Sequence, residues 1–190
     1  MIILASSSAY RRALLQRLEL PFEVVVPDVD ETPVSGEDAE RTALRLAAAK
    51  ARAVAQSARG EIVIGSDQVA EIEGRPLGKP GDHRTAVRQL QLVRGRHVVF
   101  HTAVCVYSAA PDRLQLANVP TTVKFRELTD EEIEHYLRRE KPYDCAGSAK
   151  VEGLGIALIE QARSEDPTAL IGLPLMQLVT MLRNEGVKVL

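Results

Sequence analysis

Five stretches of the chain carry residue types that could handle a phosphorylated ligand. The first, Ala5-Ser6-Ser7-Ser8-Ala9-Tyr10-Arg11-Arg12, sets three hydroxyls and two guanidinium groups where an apolar run gives way to a helix-forming one. A helix start offers unpaired N–H groups and the positive end of the backbone dipole, so these residues suit an anion, most naturally a phosphate. A serine-capped surface helix with solvated arginines accounts for the same residues equally well. No G-x-x-x-x-G-K-[ST] run occurs in the chain, so this is not a Walker loop. The second stretch, Gly65-Ser66-Asp67-Gln68, reads as a buried strand rising to a carboxylate at its C-terminal end, where open α/β sheets place ligands. Asp67 there could activate a water or hold Mg²⁺, although an aspartate closing a turn is the commoner case.

The third stretch is Gly78-Lys79-Pro80, a tight loop that aims one ammonium; lysine is a compact charge suited to phosphate oxygens, or simply an exposed loop residue. The fourth is the acidic loop Asp28-Val29-Asp30-Glu31-Thr32-Pro33, whose carboxylates could share a divalent ion with a phosphate or could be solvated. The fifth runs from Cys145 to Gly155, with Gly147, Gly153 and Gly155 permitting close backbone approach and Glu152 lying among them. His97 and His101 share a strand face but have no third ligand at matching spacing. Glu131 and Glu134 form an E-x-x-E that reads best as a solvated helix face.

These residues need elements to position them, and the hydrophobic pattern alternates strands with helices. Ile2–Ala5 reads as a short buried strand, followed by a helix from Ala9 to about Leu18 that Pro21 ends, then a strand over Phe22–Val26. A long alanine-rich helix is expected from near Asp38 to Ala58, closed by Gly60. Leu44, Ala47, Ala48, Ala51, Val54 and Ala55 form its narrow apolar stripe, and Lys50 flanks that stripe. Glu61–Ser66 reads as a strand closing on Asp67, and Val69–Leu77 as a hairpin turning at Gly74. Asp82 caps a helix to about Val93, and long β-prone runs follow at Val98–Tyr107 and Leu114–Phe125 around Pro111-Asp112. Thr129 with Glu132 makes a capping box for a helix through Arg139. Residues 141–155 read as loop, Ile156–Ile159 as strand, and Pro174 as the start of a last helix ending near Gly186. The expected architecture is α/β, one compact unit over residues 1–190 with a mixed twisted sheet flanked by helices.

Composition narrows the function. The chain has 190 residues, enough to bury a core without disulfides or a structural metal. Its 24 Lys+Arg against 26 Asp+Glu give a net charge of −2, poor footing for nucleic acid, which needs a basic surface. Four tyrosines, three phenylalanines and no tryptophan leave little for a base-stacking surface, so no nucleic-acid partner is expected. No apolar run reaches the ~18 residues of a membrane span, and the apolar N-terminus is too short for a signal core. Cys105 and Cys145 are far apart and read as ordinary thiols in a reducing cytosol, so a cytoplasmic protein is expected.

Taken together, the motifs resemble one family. Leu4-Ala5-Ser6-x-Ser8 with Arg11, Asp30-Glu31, the alanine-rich helix with Lys50, Gly65-Ser66-Asp67-Gln68, Gly78-Lys79-Pro80, Ala146-Gly147-Ser148 and Ile171-Gly172-Leu173-Pro174 look like the Maf nucleoside triphosphate pyrophosphatases. They run in the family's order across nearly the whole chain. The resemblance implies two lobes around a central cleft, and hydrolysis of a nucleoside triphosphate to the monophosphate and pyrophosphate with a divalent metal, Mg²⁺ or Mn²⁺. It implies that Ser6, Ser8, Arg11 and Lys50 bind substrate, that Asp67, Lys79 and Glu31 are catalytic, and that Asp67 and Glu31 hold the metal. A homodimer is implied as well.

Tyr10, Gln68 and Glu152 match the positions that separate the family's substrate branches. The branch acting on dTTP and UTP typically has Arg, Thr and Gln there; the branch acting on 7-methyl-GTP has an aromatic residue, Gln and Glu, and this chain is similar to the second. It departs from that branch in having Tyr10 where Trp is frequent and Ala149 where an aromatic is common. Two other readings remain open: the same reaction on dTTP, UTP or modified pyrimidine nucleotides, and a non-catalytic nucleotide-binding regulator of division.

Overall fold

The computed structural model describes residues 1–56, 61–110 and 112–190. Seven strands form one mixed sheet: β1 (Ile2–Ala5), β2 (Phe22–Val25), β3 (Ile62–Ile72), β4 (Arg75–Leu77), β5 (His97–Ser108), β6 (Arg113–Phe125) and β7 (Ile159–Ser164). The strand order is β2-β1-β3-β5-β6-β7, with β4 paired to β3. β1 lies parallel to both β2 and β3, and the remaining pairs are antiparallel. Five α-helices are present among the described residues: α1 (Ala9–Gln16), α2 (Ala39–Ala55), α3 (His83–Val93), α4 (Asp130–Glu140) and α5 (Leu175–Asn184).

Local sequence explains most of these bounds. Ser8, Asp38, Asp82 and Thr129 each accept a backbone N–H three residues on and start α1, α2, α3 and α4. Thr129 and Glu132 complete the capping box. The expected end of the alanine-rich helix, near Ala58 and Gly60, lies outside the described residues, as does Pro111.

The long strands link two bodies of core. In the first, α1 and α5 cover one face of the sheet through Leu14, Leu15, Leu178 and Leu182 on Leu4, Ile64 and Val104. On the opposite face α2 lays Ala43, Ala47 and Ala51 on Ala5, Val63 and Ala103. In the second, α3 and α4 pack Leu90, Ile133 and Leu137 on Ala70, Phe100 and Phe125, near the other end of the same strands. The sheet therefore has two lobes, and β3 and β5 belong to both.

Two expectations are corrected. Asp67 does not end its strand: β3 runs through it to Ile72, because β5 pairs with β3 continuously from Ile62 to Glu71 and supplies a partner beyond Asp67. Residues Ile156 to Leu158 are not strand but the end of a 3-10 segment, Leu154–Leu158; β7 begins at Ile159, where pairing with Phe125 of β6 first becomes available. The stretch read as loop over 141–155 also contains a 3-10 turn at Ala146–Ser148, with Gly147 at φ 64°.

Candidate active site

The site forms at a gap in the sheet. On one edge of β3, β1 pairs as far as Gly65 and β4 pairs from Ala70. Residues Ser66 to Val69 lie between, with no strand beside them on that edge. Successive side chains of a strand point to opposite faces. Gly65 and Asp67 accordingly face α2, whereas Ser66 and Gln68 meet the segment 169–172 on the other side.

Gly65 sets how closely α2 approaches. A Cβ there would lie 2.2 Å from the Ala47 carbonyl oxygen and 2.8 Å from the Ala51 nitrogen, so any side chain would push the helix away. With Ala43, Ala47 and Ala51 fully buried, α2 lies near enough for Lys50 to reach over the strand. Lys50 and Asp67 are each only 7% exposed. Lys50 Nζ lies 2.6 Å from Asp67 Oδ1 and 2.7 Å from Glu31 Oε1. One buried ammonium thus ties a strand carboxylate to one from the acidic loop. Among the described residues, Asp67 Oδ2 has no hydrogen-bond partner, and Asp67 lines the cleft.

The acidic loop divides its labour. Only Glu31 of its carboxylates reaches the cluster, since Asp30 closes on Thr32. Burial alone would raise the Glu31 pKa, but the Lys50 hydrogen bond and the charges of Lys50, Lys79 and Arg11 hold it below the ordinary value. Lys79, on the exposed loop after β4, completes this positive surround at the cleft wall.

Across from the cluster is the β1–α1 turn. Ser8 Oγ accepts the Arg11 N–H and the Ser8 N–H bonds to Ser6 Oγ, while the Ala9 and Tyr10 N–H groups have no partner among the described residues. Arg11 Nε donates to the Gly172 carbonyl at 2.9 Å, which fixes the guanidinium and leaves its two terminal nitrogens for an anion. Ser66 Oγ shares that carbonyl. Gly172 sits at φ 121°, a conformation open to glycine, and so turns its carbonyl toward both.

Gln68 Nε2 donates to Thr102 Oγ1 and to the Ala169 and Leu170 carbonyls. Its nitrogen is consumed in holding that segment, and Oε1 is what remains for a ligand. Tyr10 and Glu152 line the same cleft, which measures about 770 Å³, within the roughly 300–1,000 Å³ of small-molecule sites. Burial raises the Glu152 pKa above the ordinary glutamate value, with Glu140 and Asp144 adding to it and Lys150 opposing.

Every residue singled out for the site therefore borders this cleft: Ser6, Ser8, Tyr10, Arg11, Glu31, Lys50, Asp67, Gln68, Lys79 and Glu152. Ser66, Gly172 and Lys150 lay in the quoted motifs without a role of their own, and Thr102, Glu140 and the Ala169 and Leu170 carbonyls escaped the sequence reading. Their partners lie from 10 to 161 residues away, with no local signal. Cys145 lines the cleft too, but burial pushes its thiol up to about 12, so it is not a thiolate nucleophile at neutral pH. Cys105 is likewise pushed up to about 12 by burial. Glu134 is not wholly solvated, as it pairs with His83 at 3.0 Å. No described helix is long and apolar enough to cross a membrane.

No group of three or more His, Cys, Asp or Glu is placed to hold a metal among the described residues. The donor set nevertheless fits one class of ion. Mg²⁺ usually takes one or two protein carboxylates and completes its shell with water and substrate phosphate. Asp67 and Glu31, each with one oxygen on Lys50, match that demand.

A protein of Nitrosospira multiformis named 7-methyl-GTP pyrophosphatase is 59% identical over 188 residues, 99% of this chain and 95% of its own. One of the same name from Methylobacillus flagellatus is 59% identical over 189 residues, covering 100% and 98%. A solved Mycobacterium abscessus structure, a nucleoside-triphosphatase or dITP/XTP pyrophosphatase, gives a TM-score of 0.48 at 17% identity over 97% of this chain and 94% of that one. The family model for "Maf-like protein" matches residues 1–185, and the chain belongs to that family.

Proposed function

We propose that the protein hydrolyses 7-methyl-GTP to 7-methyl-GMP and pyrophosphate. The observation that carries this reading is one cleft holding two complementary ends. A cationic end presents Arg11, Lys50, Lys79 and a helix N-terminus beside a carboxylate pair; a base-sized end presents an aromatic ring and a carboxylate. The activity for which the relatives are named supports the same substrate.

In this mechanism the triphosphate lies on the β1–α1 turn. The free N–H groups of Ala9 and Tyr10, the Ser6 and Ser8 hydroxyls and the Arg11 terminal nitrogens bind its oxygens. Asp67 orients a water held near the α-phosphorus and accepts its proton. The water oxygen bonds to that phosphorus as the bond to the bridging oxygen of the β-phosphate breaks, and pyrophosphate leaves with the electron pair. Lys50 and Lys79 offset the charge that builds on the phosphoryl oxygens and the leaving group. A divalent ion, Mg²⁺ or Mn²⁺, would be held by Asp67 and Glu31, and when bound supplies Lewis-acid polarisation of the phosphates and a more acidic water.

At the other end, Tyr10 offers a π-face to the positive ring of 7-methylguanine, a contact of about 0.5–2 kcal/mol. Glu152 accepts the base's N–H groups and balances its charge. Uracil and thymine carry no positive charge, so a site built around Glu152 and Tyr10 favours them less. Cytoplasmic residence and pairing with a second copy of the chain belong to the same proposal, and light scattering of the purified protein tests the pairing.

The test is product identity. With 7-methyl-GTP and Mg²⁺ or Mn²⁺, the expected products are 7-methyl-GMP and pyrophosphate. Formation of 7-methyl-GDP and orthophosphate, or tight binding without turnover under either ion, contradicts the proposal.

A further inference from the structure

Beside the ring at the base end stands a cation that the mechanism does not use. Lys150 Nζ stands 5.9 Å from the centroid of the Tyr10 ring. Tyr10 is the ring assigned to the cationic base, and a lysine over it is a rival for the same face. Lys150 also interacts electrostatically with Glu152, the carboxylate assigned to the base. Left to itself, this ammonium would neutralise Glu152 and repel a positive base.

Glu140, the last residue of α4, ties it down short of Glu152. Its Oε1 lies 2.6 Å from Lys150 Nζ, and its Oε2 accepts the Leu154 N–H at 2.7 Å. The Glu140 and Lys150 side chains are 15% and 27% exposed, so the pair is mostly withdrawn from water. Packing around it is close: a Cβ on Gly153 would lie 2.7 Å from the Glu140 carboxylate, and one on Gly155 would lie 2.4 Å from the Lys150 carbonyl oxygen. Tyr136, one turn earlier on α4, accepts the Lys150 N–H and donates to the Ser148 carbonyl, both at 3.0 Å. The same helix thus fixes the loop carrying Glu152 and the side chain of Lys150.

We infer that Glu140 is a positioning residue for base selectivity: it holds the Lys150 ammonium out of contact with Glu152 and so leaves that carboxylate to a positively charged purine. The inference rests on the proposed 7-methyl-GTP reading and adds to it two residues that do not touch the phosphates.

The experiment measures kcat/KM for 7-methyl-GTP and for UTP in wild type, Glu140→Gln, Lys150→Met and the double variant. Glu140→Gln is expected to lower the 7-methyl-GTP/UTP ratio about tenfold, chiefly through KM for 7-methyl-GTP, because the released ammonium turns to Glu152. Adding Lys150→Met is expected to restore the ratio to within about threefold of wild type, and Lys150→Met alone to leave it unchanged or raise it. Equal losses on both substrates without rescue would mean Glu140 merely anchors the loop, and would overturn the inference. A tenfold fall in the ratio for Lys150→Met alone would overturn it too, even if Glu140→Gln failed to fold. A wild-type enzyme that prefers UTP instead overturns the 7-methyl-GTP reading itself, before any variant is compared.

Discussion

At the residue scale, the central feature is one ammonium shared by two carboxylates at the edge of a cleft. Asp67 gives one oxygen to Lys50 and keeps the other for solvent and ligand. The sequence reading singled out Asp67, Glu31 and Lys50 as residues of one site, but each spacing was weak alone. Lys50 reads as a residue beside an apolar stripe because nothing local reports that Gly65 brings the helix down onto β3. At the base end, Glu152→Gln is expected to cut kcat/KM for 7-methyl-GTP by about 1.5–3 kcal/mol of lost charge-assisted bonding, roughly ten- to a hundredfold, with UTP affected much less. Equal losses in steady-state assays would remove Glu152 from base recognition. Its pH dependence has a definite sign. Burial raises the Glu152 pKa above 4.5, so the carboxylate protonates earlier than an ordinary glutamate as pH falls. KM for 7-methyl-GTP should therefore rise on acidification with a midpoint above 4.5, and that limb should vanish in Glu152→Gln.

At the element scale, the site depends on where strands stop. β1 ends opposite Gly65, β4 begins opposite Ala70, and the four residues between are uncovered on that edge. The sequence shows the individual strands, since Ile2–Ala5 and Phe22–Val26 are short, mainly apolar runs between breakers. It does not show which strands neighbour each other, so Asp67 looked like a strand end when it lies within an 11-residue strand. The same blindness misplaced β7, whose start is set by pairing with β6 and whose own residues are mostly polar and exposed. Glu140 and Lys150 escaped notice because their meaning comes from α4 packing across the 146–155 segment. Gly65 gives the sharpest element-level test. Gly65→Ala places a methyl 2.2 Å from the Ala47 carbonyl, so the helix must shift. The expected destabilisation is about 1–3 kcal/mol by urea unfolding, with turnover falling further than stability because Lys50 moves with the helix. Wild-type stability and activity in this variant would show that the close approach is unimportant.

At the scale of the whole molecule, one sheet joins two lobes and the cleft lies between their cores. The α/β class was legible from alternating periodicities. The lobes entered through the family resemblance, because their boundary lies within continuous strands and leaves no linker in the sequence. Ion pairs tie loops to both lobes: Glu37 to Arg45 near the acidic loop, and Glu140 to Lys150 at the base end. The carboxylates of Glu31, Glu37 and Glu140 all lie below the ordinary 4.5, held there chiefly by hydrogen bonds from Lys50, Arg45 and Lys150, although burial of Glu31 acts first in the opposite sense. A carboxylate with a lowered folded pKa contributes stability that is present above its unfolded value and lost as pH falls through the folded one. The thermal midpoint should thus drop as pH falls below 4.5, and the drop should be shallower in Glu140→Gln, as calorimetry across pH 3–6 would read. An identical slope in the variant would show that the Glu140 pair adds nothing to acid stability.

One cleft joins the proposed reaction to the proposed base, and a single substrate panel addresses both. Pyrophosphate release should be measured as kcat/KM for 7-methyl-GTP, GTP, UTP and dTTP, for wild type and Asp67→Asn, with Mg²⁺ and with Mn²⁺. Wild type is expected to favour 7-methyl-GTP at least tenfold over the others. Asp67→Asn is expected to lose about 10²–10⁴ of its rate on every substrate, the range expected for removal of a general base. A wild-type preference for UTP or dTTP, or near-wild-type turnover by Asp67→Asn, would contradict the proposed reaction and base.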